Sequence, residues 1–99
     1  MYNSKIIGLG KYLPDNIVTN DDLAQRMETS DEWITERTGI KERRHIIKGS
    51  EDTPATMGYK AALVALERAN RKAEDIDLIL FATLSPDYYF PGSGVLVQK

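Results

Sequence analysis

Three side chains with complementary chemistry recur at four-residue spacing in the stretch TSDEWITERTG, residues 29–39: Thr29, Trp33 and Arg37. Residues four apart share one face of an α-helix. An indole can stack on a flat base, a guanidinium can pair with a phosphate, and a hydroxyl can bind a polar edge. The spacing alone fits two interpretations. The commoner one is a core tryptophan beside a surface ion pair, and the other is a platform for a flat, phosphorylated ligand.

A second candidate surface is the loop LSPDYYFPGSG, residues 84–94, which carries Tyr88, Tyr89 and Phe90 in succession. Three consecutive aromatic side chains are unusual in a solvated loop. They fit a lid over a small core, or an interface or acyl-binding surface, because exposed aromatic clusters are typical of interfaces. The residues themselves leave both interpretations open.

No catalytic pair can be assembled from these residues, so we predict no catalytic residue in the chain. Cysteine is absent, which excludes disulfides and cysteine-based zinc sites. His45 is the only imidazole and lies in a basic stretch, where a histidine is more often structural or solvated than catalytic. Ser85 and Ser93 lack the G-x-S-x-G context of a nucleophile elbow. We therefore predict neither a metal site nor a dinucleotide fingerprint.

Composition narrows the class of protein. A chain of 99 residues with 41% hydrophobic residues is ordinary for a globular domain or a piece of one. The net charge of -2 argues against charge-driven binding to nucleic acid. No signal peptide is visible, and no apolar run approaches the roughly 20 residues that a membrane span needs. We expect a soluble, cytoplasmic chain.

The first half of the chain predicts one strand and two short helices. Residues 4–14 combine apolar β-formers with two glycines that would permit close backbone approach, and we expect a strand there. Capping residues and acids open a short helix over 19–27. In the helix of 29–39, Thr29 and Glu32 fit a capping box, and Gly39 fits the terminator. Residues 40–47 are expected to be extended, and 48–52 to form a loop.

The second half predicts a long central helix followed by a buried strand. Thr53 should cap the helix, with Pro54 at its first position, and the helix should continue to about Asn70. One face of this helix is almost entirely small: Gly58, Ala62, Ala65, Leu66 and Ala69. The run IDLILFAT, 76–83, is continuously apolar, which favours a strand buried on both faces. Together these elements predict an α/β fold with a largely parallel sheet.

Five blocks carry a resemblance to a known family: KIIGLGKYLP, TNDDL, TSDEWITERTGIKER, ATMGYKAALVAL and IDLILFATLSPDYYFPG. In order and spacing they resemble β-ketoacyl-acyl-carrier-protein synthase III, a thiolase-fold condensing enzyme that starts fatty-acid synthesis. The resemblance covers the whole chain. It implies that residues 1–99 are a partial N-terminal thiolase-like domain, truncated, with the family's catalytic cysteine, histidine and asparagine downstream. On this reading the 99 residues alone are not catalytically competent.

The resemblance also implies roles for the side chains at 29, 33 and 37. Trp33 matches a family tryptophan that stacks on the adenine of coenzyme A. Thr29 matches a threonine that touches the adenine edge, and Arg37 matches an arginine near the phosphates. The coenzyme A thioester would be a substrate, so no resident cofactor is expected.

For the loop, Phe90 matches a family phenylalanine that crosses the dimer interface to the partner's acyl pocket, with Tyr88 and Tyr89 beside it. The expected partners are therefore acyl-coenzyme A, an acyl carrier protein and a second copy of the chain. His45 matches a family histidine without a catalytic role.

The sequence departs from the family at PGSGVLVQ, residues 91–98, where a small-residue pattern containing a cysteine is more usual. This leaves the acyl preference open. Two alternatives follow: a same-fold acyltransferase or polyketide-type starter enzyme that uses another acyl group, and a non-catalytic module that only self-associates.

Overall fold

The computed structural model describes residues 2–99, and the chain separates into two compact units. Leu13–Ser50 form one unit, called here the hairpin unit. The residues up to Tyr12 and those of Glu51–Lys99 form the other, called the helical unit. The single partial domain expected over 1–99 stays a prediction.

A two-stranded antiparallel sheet organises the hairpin unit. Its elements are β1 (Asn16–Thr19), α1 (Asn20–Ala24), α2 (Asp31–Thr38) and β2 (Glu42–His45). Val18 on β1 pairs with Arg43 on β2, and Val18 is only 4% exposed. The extended backbone expected within 40–47 is confirmed by β2. The parallel pairing expected for the sheet is wrong for these two strands, which run antiparallel.

Local capping explains both helices of this unit. Thr19 and Asp22 form a capping box at the start of α1, so the short helix expected within 19–27 is confirmed. The capping box expected between Thr29 and Glu32 is wrong. Ser30 is the N-cap of α2, and its hydroxyl accepts a hydrogen bond from the backbone N–H of Trp33 at 3.1 Å.

The end of α2 follows the expectation. Gly39 adopts the left-handed conformation with φ of 71°, which glycine enters without a Cβ penalty. Its backbone N–H donates to the carbonyl of Thr35 at 2.8 Å. The chain therefore leaves the helix at Gly39 and turns toward β2.

Asn20 holds the hairpin unit together from the inside. Its side chain is 1% exposed, and Nδ2 donates to Asp31 Oδ1 and to the Ile40 carbonyl, both at 2.8 Å. Its Oδ1 accepts from Arg43 Nη2 at 2.8 Å. A buried amide is costly unless its donors and acceptor are paired, and here they join α1, α2 and β2.

The helical unit is built on α3 (Pro54–Ala69), followed by a 3-10 turn (Ala73–Asp75) and by α4 (Ser93–Gln98). The predicted helix start is confirmed, because Thr53 caps α3 in a box with Thr56 and Pro54 is its first residue. The predicted end is also confirmed, since Asn70 closes the helix with φ of 53°.

The N-terminal segment around Gly8 and Gly10 packs directly against the small face of α3. A Cβ added to Gly8 would lie 2.5 Å from the carbonyl oxygen of Ala65, and one added to Gly10 would overlap that of Ala61. The close backbone approach expected from these two glycines is therefore confirmed.

The predictions of a strand at residues 4–14 and of another at residues 76–83 are wrong. Residues 4–14 and 76–83 have no assigned strand, and no other strand pairs with either of them within residues 2–99. Residues 2–99 do not themselves bury the run 76–83 on both faces, because Leu78 is 73% and Leu80 is 87% exposed. A strand exists only where a second strand completes its hydrogen bonds, and apolar periodicity alone cannot supply that partner.

A polar cluster fixes the N-terminal segment to the start of α3. The Tyr12 hydroxyl donates to Asp52 Oδ1 at 2.9 Å, and Lys60 Nζ lies 3.1 Å from the same oxygen. Lys60 Nζ also lies 4.5 Å from the centroid of the Tyr12 ring. The hydrogen bond from Tyr12 is the main cause that lowers the pKa of Asp52 below its ordinary value.

Candidate nucleotide platform and aromatic loop

The helix α2 places Trp33 and Arg37 one turn apart on the same face. The guanidinium carbon of Arg37 lies 4.6 Å from the centroid of the indole ring, a cation–π contact. Trp33 is 53% exposed, so the interpretation of a core tryptophan is wrong. The sequence correctly placed these two side chains together.

The stacked pair leaves much of the indole free. Arg37 covers one face of the ring, and the exposed fraction of Trp33 shows that other ring surface reaches solvent. The guanidinium adds a positive charge beside the ring, together with donors that fit phosphate oxygens. This arrangement can stack a flat group and pair with an anion at the same place.

Thr29 is not on the helical face that the four-residue spacing predicted. It precedes the N-cap Ser30, so it lies outside α2. Its Oγ1 is buried and has no hydrogen-bond partner in the described part of the chain. Such an orphaned buried hydroxyl costs about 1–3 kcal/mol, which makes Thr29 an unexplained polar group beside the first turn of α2.

The aromatic loop, defined here as residues 88–92, projects its side chains into solvent. Tyr88, Tyr89 and Phe90 are 63%, 87% and 94% exposed. The interpretation of these rings as a lid over the core is therefore wrong. The loop expected over 84–94 ends at Gly92, because α4 begins at Ser93.

Asp87 anchors this loop, and the sequence analysis missed it. Its Oδ1 accepts from the backbone N–H of Ala55 at 2.8 Å and from Ser93 Oγ at 3.1 Å. Burial would raise the pKa of Asp87, but the hydrogen bonds from the Thr53 side chain, Ala55 and Ser93 lower it below the ordinary value. No local sequence pattern indicates that Asp87 anchors the loop to the start of α3, because its partner Ala55 lies 32 positions away.

An apolar cleft of about 1050 Å³ lies within the helical unit. Side chains of α3, residues 76–79 and α4 line it, and Tyr88 and Tyr89 contribute to its wall. Much of the continuous apolar run borders this space, which agrees with the high exposure of that run.

Other site types find no support among residues 2–99. Within this described range, no group of three histidine, cysteine or acidic side chains is placed to hold a metal ion. His45 is exposed on β2, opposite Asn16. The helices of the described chain are all too short or too polar to cross a bilayer.

Comparison with known proteins gives a consistent result. The chain is 52% identical over all 99 residues to a β-ketoacyl-acyl-carrier-protein synthase III of Clostridium acetobutylicum, of which it covers 30%. It superposes on the crystal structure of the 3-oxoacyl-acyl-carrier-protein synthase III of Aquifex aeolicus with a TM-score of 0.89 and 52% identity, covering 97% of this chain and 30% of that one. No family model matches the chain.

A third similarity extends the range of relatives. The priming β-ketosynthase of the R1128 polyketide pathway superposes with a TM-score of 0.87 at 31% identity, over 95% of this chain and 28% of that one. The fold is thus the N-terminal portion of a thiolase-like synthase, which confirms the predicted fold class. Within that class the chain is similar to the N-terminal portion of β-ketoacyl-acyl-carrier-protein synthase III, as the sequence blocks predicted. It spans about 30% of the length of the relatives it matches.

Proposed function

We propose that this chain supplies the coenzyme A platform and the subunit-interface loop of a β-ketoacyl-acyl-carrier-protein synthase III. In the reaction an acyl group passes from coenzyme A to a cysteine thiol. Malonyl-acyl-carrier protein then loses carbon dioxide, its carbanion attacks the acyl thioester, and the cysteine leaves as thiolate. None of the 99 residues is a cysteine, so the role of this chain is binding and positioning.

The observation that carries the proposal is the exposed pair of Trp33 and Arg37. A half-exposed indole is an adenine stacking surface, and a guanidinium 4.6 Å from its centroid suits the phosphates attached to that base. The 52% identity to a synthase III supports coenzyme A as the nucleotide.

Thr29 fits the same proposal as the third contact. Its Oγ1 lacks a hydrogen-bond partner in the described chain but is buried, so contact with a polar edge of adenine requires this side chain to turn outward. In this proposal the Thr29 side chain orients the adenine, while the Trp33 ring provides the surface on which it stacks.

Phe90 and its neighbours are assigned to contacts with a second subunit. An aromatic side chain 94% exposed at a loop tip is costly in water and is typical of a buried anchor at an interface. On this proposal the protein is a cytoplasmic homodimer, and Phe90 reaches the acyl pocket of the partner subunit.

A second candidate is a starter enzyme of polyketide type that loads a different acyl group. The similarity to the R1128 priming β-ketosynthase favours it, as does the unusual PGSG sequence after Phe90. The two candidates share the coenzyme A platform and differ in acyl preference.

The test uses the protein expressed from its full coding sequence. Trp33→Ala should raise the KM for acyl-coenzyme A about 5- to 150-fold, the range that base–aromatic stacking supplies. The KM for malonyl-acyl-carrier protein should stay the same, because that substrate has the phosphopantetheine arm but no adenine. Trp33→Phe keeps a stacking ring and is the matched control.

Trp33 is the one tryptophan among these 99 residues, and the fluorescence change that is lost in Trp33→Phe is the signal of this ring. Coenzyme A should quench it in the parent protein, and pantetheine should not. Equal weakening of both substrates, or a collapse of the melting temperature in Trp33→Ala, would show that the indole is a packing residue instead.

A further inference from the structure

We infer that Asp87 is a positioning residue that fixes the aromatic loop and thereby sets the acyl preference acting through Phe90. This inference rests on the proposed function of that loop. It concerns a side chain that touches neither substrate nor the partner subunit in the proposal.

Asp87 and Ser93 close the loop at its base. The backbone N–H of Asp87 donates to Ser93 Oγ at 3.1 Å, and that hydroxyl donates to Asp87 Oδ1 at 3.1 Å. Ser93 is 3% exposed, so water does not compete for these bonds. These hydrogen bonds therefore hold the two ends of the aromatic loop, residues 88–92, next to each other.

The same carboxylate ties the base to α3. Ala55 is the second residue of that helix, and its N–H is one of the donors that a helix start leaves without a partner in the helix. Asp87 Oδ1 accepts from it at 2.8 Å, and Ala55 is 6% exposed. The loop is thus fixed to the long rigid element of its unit.

The tip of the loop lacks any comparable support. Tyr89 and Phe90 are 87% and 94% exposed, so packing within their own unit does little to hold either ring. The direction in which Phe90 points is therefore set mainly by the base. Loss of the anchor should change where the ring lies without removing the ring.

The experiment compares Asp87→Ala, Asp87→Asn and Ser93→Ala in the protein expressed from its full coding sequence. The first readout is the ratio of kcat/KM for a short and a longer acyl-coenzyme A. The second is hydrogen exchange at the backbone amides of Ala55 and of position 87, which donate to Asp87 Oδ1 and to Ser93 Oγ. Asp87→Ala should speed exchange about 2- to 30-fold, as for a lost helix cap, and should change the ratio. Asp87→Asn should lie closer to the parent than Asp87→Ala does, because its amide oxygen still accepts from the Ala55 N–H and the Ser93 hydroxyl.

A double-mutant cycle with Phe90→Ala decides whether Asp87 acts through that ring. The effect of Asp87→Ala on the ratio should vanish in the Phe90→Ala background. Glu67→Ala, which removes an exposed carboxylate of the same unit outside the cleft, is the control and should leave both readouts unchanged.

Three outcomes would overturn the inference. One is an unchanged ratio in Asp87→Ala and Ser93→Ala although Phe90→Ala changes it. Another is an effect of Asp87→Ala that persists in full without Phe90. The third is an unchanged ratio in Phe90→Ala. That result would contradict the proposed role of the aromatic loop, and with it the inference that Asp87 sets the acyl preference through this ring. Ser93→Ala alone carries the test if Asp87→Ala does not fold.

Discussion

Arg37 stacks on the ring of Trp33 with its guanidinium carbon 4.6 Å from the ring centroid, one helical turn further along α2. The contact orders a long, flexible cation over an exposed aromatic surface. It costs the protein no burial of charge, because both side chains remain exposed. A ligand that brings both a flat ring and phosphates meets a pair that is already assembled.

Replacement of Arg37 separates its charge from its planar shape. Arg37→Lys keeps the charge and loses the flat fork, whereas Arg37→Gln loses the charge. We expect coenzyme A affinity to fall by about 0.5–1 kcal/mol in the first and by about 1.5–3 kcal/mol in the second. The salt dependence of binding should weaken only in Arg37→Gln. Titration of Trp33 fluorescence at two ionic strengths measures both effects, and equal salt dependence in all three proteins would contradict the assignment.

Removal of the buried amide at position 20 should destabilise the hairpin unit. Asn20→Ala leaves the Ile40 carbonyl and the side chains of Asp31 and Arg43 without this partner, and we expect a loss of about 2–3 kcal/mol in the free energy of unfolding. Asn16→Ala, an exposed asparagine in the same unit, should change it by less than about 0.5 kcal/mol. Urea unfolding measures both, and similar values would show that the amide is not a structural centre.

The sequence predicted α1, α2 and α3 well because the signals of these helices are local. Thr53 and Pro54 mark a start, and Gly39 marks an end, through conformations that involve only the next few residues. The error at Thr29 has the same origin. Thr29 and Ser30 both carry a hydroxyl suited to an N-cap, and a shift of one position changes which of them serves.

Longer-range features escaped the sequence analysis. Asn20 binds Asp31, Ile40 and Arg43, which lie 11 to 23 positions away, and Asp87 binds Ala55. No periodicity encodes such partners. The apolar run 76–83 shows the same limit, since its pattern records a preference for burial and not the surface that provides it.

Gly10 offers a stringent test of the packing on α3. A Cβ at this position would overlap the Ala61 carbonyl oxygen and lie 2.5 Å from the Ala65 nitrogen, and neither backbone atom can rotate away. Gly10→Ala should therefore lower the free energy of unfolding by about 1–3 kcal/mol. Gly92 has open space around it and φ of -66°, so Gly92→Ala should cost less than about 1 kcal/mol. Equal unfolding midpoints for the two variants would contradict this contact.

The Tyr12–Asp52–Lys60 cluster should make stability depend on pH in the acid range. Hydrogen bonds from Tyr12 and then Lys60 lower the pKa of Asp52 below its ordinary 3.8, while burial opposes them. A lowered pKa in the folded state contributes stability that is complete above 3.8 and is lost as the pH falls through the folded value.

Tyr12→Phe removes the main cause of that lowered pKa and keeps the aromatic ring. Near neutral pH the variant should be less stable than the parent, because Asp52 loses a hydrogen bond to its charged form. The difference between the two free energies of unfolding should shrink as the pH falls below 3.8 and through the lowered pKa of Asp52 in the folded parent, because protonation removes the charged form that the hydrogen bond stabilises. Tyr2→Phe is the matched control, since Tyr2 is fully exposed, and it should track the parent throughout. Urea unfolding at several pH values measures the three curves. A difference between Tyr12→Phe and the parent that stays constant over this range would show that the hydroxyl acts independently of the charge on Asp52.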